Sequence, residues 1–197
     1  MATIMSVPNG TSTIQPRNAG FREACGRGSP LLIEALRLLS TGDAAQAARL
    51  RDAAFEAAPA TAATLDEQDA EWIADADPRL GPVVEAVVEG RYVWVPFARI
   101  RSIRIDPPTD LRDQVWMPAH FTWENEGTAA GFIPTRYPGT TASSDPALLL
   151  ARRTEWIERD GWSIPVGQRV FVTDVAEVAL MDLRHLELRP GLLADAA

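Results

Sequence analysis

Hydrophobic and polar positions change rhythm twice along this chain. Residues 1–28 have no sustained period and are rich in Gly, Ser, Thr, Asn and Pro, a texture that predicts a disordered tail. From Ser29-Pro30 the apolar positions Leu31, Leu32, Ala35, Leu38 and Leu39 recur at helical spacing. Gly42 supplies a stop and Asp43 a cap for a second stripe of Ala44, Ala47, Leu50, Ala54, Phe55 and Ala58, which Pro59 closes. The pattern predicts a helical hairpin over 29–60. Gly42, Ala47, Ala54 and Pro59 also match the spacing in the second half of a tetratricopeptide unit, so the hairpin reads as a remnant of such a repeat. One unit cannot bury both its faces alone and needs a neighbour.

The second change comes after an acidic stretch. Residues 61–79 carry Asp66, Glu67, Asp69, Glu71, Asp75 and Asp77, and read as a solvated connector pinned by Trp72-Ile73. A calcium loop fails here, because Pro78, Arg79 and Leu80 stand where a further ligand and a glycine belong. From Leu80 onward β-branched and aromatic residues dominate. Val83–Val88, Glu89-Gly90 and Arg91–Val95 read as a hairpin, with a short helix over Val83–Val88 as the alternative. Ile100, Ile103 and Ile105 suggest a strand with a partly basic face, and Thr109–Asp113 a single helical turn. Strands over 115–124 and 129–135 follow, then a short helix opened by Asp145-Pro146. The last strands lie at 155–158, 168–173 and 177–188. The fold class is therefore α+β: a helical hairpin followed by a mostly antiparallel β domain with short helices over 80–190, and a tail at 191–197.

Charge narrows what such a fold does. The 197 residues carry a net charge of −8, and all 19 basic residues are arginine. Arg17, Arg22 and Arg27 against Glu23 make the tail +2 and leave −10 for the rest. That balance argues against nucleic acid, which needs a basic surface. No apolar run approaches the ~20 residues that span a bilayer, so no membrane partner is expected. Cys25 is the single cysteine, and internal disulfides are excluded. No phosphate loop, zinc-protease, dithiol or nucleophile-elbow motif occurs, so the chain reads as a non-enzyme with no cofactor and no metal. His120 reads either as a general base or as a packed or edge histidine of a strand, and His185 has the same readings.

The aromatic residues are more informative. All six tryptophans lie between Trp72 and Trp162, and Tyr92 and Tyr137 fall in the same window. Some fill the core of a small β domain. The others, interleaved with arginines, have the residue types favoured at protein interfaces. The candidate interaction residues are Tyr92, Trp94, Arg101, Arg112, Trp116, Arg136, Tyr137, Arg153 and Trp156. Structural ion pairs, such as Arg112 with Asp110 or Asp113, remain the alternative for the arginines.

Several blocks resemble one known family. They are Asp75–Pro82, Gly90–Phe97, Ile100–Ile103, Pro107–Asp113, Ile133–Gly139, Arg152–Trp156 and Gly167–Arg169. In this order they are similar to the ImpE family of type VI secretion accessory proteins, over roughly residues 29–188. The resemblance implies a cytoplasmic, non-enzymatic adaptor. Its implied partners are the small subunit of the contractile sheath and the ClpV-type unfoldase that recycles sheath. Family members carry a longer helical region ahead of the matched part, so the chain reads as shortened at the front. The alternative is a folded remnant that has lost partner binding.

Overall fold

The computed structural model describes residues 28–190 apart from Asp160, with only the backbone of Pro190. Cys25 and the tails expected at 1–28 and 191–197 lie outside the described residues, save Gly28. The hairpin forms as two helices, α1 (Gly28–Ser40) and α2 (Ala44–Ala57). Gly42 ends α1 with φ +84°, a left-handed conformation that costs glycine little, and the Asp43 carboxylate accepts the Gln46 N–H at 3.1 Å to start α2.

Thirteen strands follow among the described residues: β1 (Thr61–Leu65), β2 (Gln68–Ala70), β3 (Ile73–Asp75), β4 (Val83–Val88), β5 (Arg91–Pro96), β6 (Ile100–Ile105), β7 (Trp116–Trp123), β8 (Thr128–Pro134), β9 (Thr154–Arg159), β10 (Trp162–Gly167), β11 (Val170–Thr173), β12 (Glu177–Ala179) and β13 (His185–Pro190). A short helix, α3 (Pro146–Leu149), precedes β9, and Asp145 caps it. Eight strands make one sheet in the order β2-β1-β13-β6-β7-β8-β4-β5; β12-β11-β3 and β10-β9 form two smaller sheets. Every pairing is antiparallel. The α+β class with a large antiparallel sheet is therefore observed.

The main core lies between the large sheet and the three-stranded sheet. Val84, Ala86, Ile100, Ile103, Met117, Phe121 and Ile133 from one meet Ile73 and Phe171 from the other, with Leu180 just after β12. Phe97 meets Phe171 edge to face, with ring centroids 5.6 Å apart. The opposite face of the large sheet is covered only near β4 and β5. There Leu32 and Ala54 of the helices pack with Leu80 and Val83, against a half-buried Trp94. Ala35 and Ala47 pack on Trp162 and Ile164 of β10, and the Arg51 guanidinium lies 4.4 Å from the Trp162 ring centre. The hairpin thus finds its neighbour in the β domain.

The stretch read as a connector, 61–79, is instead part of the fold. Its Thr61-Ala-Ala-Thr-Leu65 run pairs with β13 inside the large sheet, and β3 pairs with β11. The acidic side chains obscured this by suggesting solvent, whereas Asp75 and Asp77 are buried and Asp66 Oδ1 accepts from the backbone N–H groups of Arg184 and His185. The Val83–Val88 ambiguity resolves as a strand, with Glu89 and Gly90 both at positive φ as a two-residue hairpin turn requires. Residues 109–113 form a turn tied by Asp113 rather than a helical turn. β10 had no expected counterpart, and the single strand expected over 177–188 is interrupted at Leu180–Arg184.

Candidate protein-interaction surface

The uncovered face of the large sheet is built by strand alternation. On β4 the side chains of Val84 and Ala86 enter the core, so Val83, Glu85 and Val87 take the opposite face. The same alternation puts Tyr92 and Trp94 of β5 there, with Trp116, Pro118, His120 and Thr122 of β7 and Thr128, Ala130 and Phe132 of β8. This face has a closed end and an open end.

The closed end holds a buried charged cluster. Arg169 is fully buried and its guanidinium is bonded to the carboxylates of both Asp75 and Glu85. Its Nε donates to the Pro134 carbonyl at 2.9 Å, and it stacks 5.0 Å from the Tyr137 ring centre. The Tyr137 hydroxyl lies 3.0 Å from both Asp75 Oδ1 and the Val170 carbonyl, and accepts the Val170 N–H at 2.9 Å. Tyr92 donates to Glu85 at 2.6 Å and in turn accepts from the Trp94 indole at 2.7 Å. Asp75, Glu85, Pro134 and Tyr137 thus meet at one guanidinium.

Two carboxylates around one cation leave an excess negative charge, and burial penalises it. Burial pushes the Asp75 carboxyl up to about 6 in spite of Arg169. For Arg169 burial acts downward, but Asp75 and Glu85 outweigh it and hold the guanidinium above its ordinary range. Burial, reinforced by Asp75, raises the Tyr137 hydroxyl as well. Every one of these groups is spent on another, so the cluster fastens β3, β4, β8 and β11 together.

The open end is different. Strand register sets Tyr92, Val87, Phe132 and Pro118 side by side in one row, with Trp116 opposite Pro134 beyond it. Tyr92 is 57% exposed, Phe132 41% and Trp116 40%. The next row runs Ala130, His120, Arg104, His185 across β8, β7, β6 and β13. Together with Ser102, Thr122 and Thr128 it lines an open concavity of about 470 Å³. His120 lies 3.2 Å from Asp106 and is exposed, so it is not a packed core histidine.

The nine candidates named from the sequence therefore separate. Tyr92, Trp94 and Tyr137 belong to the buried cluster or its edge, with Tyr137 wholly interior. Trp116 lies on the open face, which Tyr92 also borders. Arg101 pairs with Glu126, Arg112 with Asp110, and Arg153 with Asp145 and Glu155, and of these only Asp145 is half-buried. Arg136 donates to the Leu149 carbonyl, and Trp156 is exposed on β9. Arg169, Glu85, Phe132 and Arg104 were missed. A charged residue directly ahead of the apolar run Val170-Phe-Val172 was the available signal for Arg169.

Among the described residues no group of three or more histidine, cysteine or carboxylate side chains is placed to hold a metal ion, and no helix is long and apolar enough to cross a membrane. The arrangement defines an α+β protein whose large antiparallel sheet is covered on one face and partly open on the other. The fold is shared by protein VPA1032 from Vibrio parahaemolyticus, with a TM-score of 0.73 over 92% of this chain and 66% of that one at 22% identity. The chain belongs to the ImpE family: the ImpE protein family matches it over residues 67–187, well over half its length. A curated relative, the type VI secretion system accessory component TagJ of Pseudomonas aeruginosa, is 46% identical over 159 residues. That alignment takes in 81% of this chain but 56% of the relative, so the chain spans little more than half the length of the protein it matches.

Proposed function

We propose that this chain is a non-enzymatic accessory adaptor of a type VI secretion system, acting in the cytoplasm. The observation that carries this reading is the 46% identity to the TagJ accessory component, which extends beyond the family match to most of the chain. The partners are the sheath small subunit and, directly or through it, the ClpV-type unfoldase. The geometry is compatible with such a role: Arg169, Asp75, Glu85 and Tyr137 are committed to one another, while aromatic side chains stand exposed on the large sheet. The hairpin α1–α2 serves as a tetratricopeptide-like unit docked on the β domain. Co-purification of the intact chain with each tagged partner tests the reading. Retention of the sheath subunit is expected, and a folded chain that retains neither partner overturns it.

A further inference from the structure

The open face of the large sheet combines two kinds of surface in adjacent register rows. One row is apolar: Tyr92, Val87, Phe132 and Pro118, extended by Trp116. The other carries Arg104 between His120 and His185. Rows two residues apart along a strand are separated by about 7 Å, so one short segment of a partner reaches both.

The Arg104 side chain is exposed and makes no hydrogen bond or ion pair among the described residues. Arg49, Arg91 and Arg152 share that lack, but Arg104 alone of the four lines the concavity. The charged groups on the same face include Asp106, engaged with His120, Glu187, one row along β13 from His185, and beyond it Arg189, paired with Asp69. None of these carboxylates reaches Arg104, so its guanidinium is free for an incoming anion.

Strand pairing limits how a partner arrives. β6, β7 and β8 are interior strands with neighbours on both sides, and the sheet edges are β2 and β5. Addition of an extra strand is therefore impossible here, and recognition must go through side chains standing off the face. We infer that this face docks a protein segment whose apolar side chains cover Trp116, Phe132 and Tyr92 and whose adjacent carboxylate pairs with Arg104. Charge complementarity to the unpaired guanidinium selects the acidic group, and the exposed aromatic row selects the apolar ones.

The inference rests on the adaptor reading, and the sheath small subunit serves as the probe. Its affinity for the full chain is measured for the unaltered protein and for Arg104→Glu, Arg104→Lys, Phe132→Ser and a control, Arg152→Glu, beyond α3. Unfolding midpoints confirm that each variant is folded. Arg104→Glu and Phe132→Ser are each expected to weaken binding by about tenfold or more. Arg104→Lys should retain most of the affinity and Arg152→Glu all of it. Raising the salt concentration should weaken the unaltered protein far more than Arg104→Glu. Unchanged affinity in both Arg104→Glu and Phe132→Ser, with the unaltered chain binding, overturns this surface and leaves the adaptor reading standing. Salt-independent binding overturns the carboxylate contact. An unaltered chain that does not bind the subunit removes the adaptor reading, and this inference with it.

Discussion

The two ends of one sheet face use the same residue types to opposite purposes. At the closed end, Arg169, Asp75, Glu85 and Tyr137 are buried and satisfy one another. At the other end, the Arg104 side chain has no partner among the described residues, and Trp116 and Phe132 remain exposed. A buried cation flanked by carboxylates is expensive to disturb, because removing one member strands the rest in a poor solvent for charge. An exposed arginine or aromatic costs the fold little and is free to meet something else. Mutually satisfied charges tie the closed end together, and the proposed docking surface draws on the exposed aromatics and Arg104 at the other end.

That contrast is broken or sharpened by substitution. Arg169→Met leaves Asp75 and Glu85 buried without their cation and is expected to destabilise the protein by about 3–5 kcal/mol, measured by urea unfolding. Gly131→Ala places a methyl group about 2.5 Å from the Val87 carbonyl, where β4 joins β8, and is expected to cost about 1–3 kcal/mol. Tyr137→Phe deletes the hydroxyl shared by Asp75 and Val170 and should cost a similar or smaller amount, about 1–3 kcal/mol.

The pH dependence is subtler. Because Asp75 titrates at about 6 in the folded chain against an ordinary 3.8, the folded state holds this proton more tightly than the unfolded state does. Its contribution is fully present below pH ~4 and is lost as the pH rises to about 6. Urea midpoints across that window should fall with pH for this group, and Asp75→Asn should flatten the trend. Trp116→Ala, on the open end, is expected to change stability by no more than about 0.5 kcal/mol. A loss of several kcal/mol there would place Trp116 in the fold rather than on a binding surface.

The sequence was legible where local chemistry acts alone. Gly42-Asp43 marked the helix junction, Glu89-Gly90 the hairpin turn and Asp145-Pro146 the start of α3, because caps and turns depend on one or two residues. β1 and β3 were hidden by the acids around them, since the partners that bury or bond Asp66, Asp75 and Asp77 include residues about 100 positions away. The candidate surface was half legible. Tyr92 and Trp116 have the composition of an interface, yet whether an aromatic on a strand faces core or solvent depends on register with strands elsewhere in the chain. Tyr137 went inward through Asp75 and Val170, and Arg104 stood out only once His120 and His185 were beside it.

The most direct test compares the two ends in one binding experiment, titrating the sheath small subunit into Tyr137→Phe and Phe132→Ser by calorimetry at a temperature where both are folded. Tyr137→Phe, though less stable, is expected to bind as the unaltered chain does, while Phe132→Ser keeps its stability and loses about tenfold or more in affinity. Equal affinities for both variants, or a loss confined to Tyr137→Phe, would contradict the contrast between the two ends.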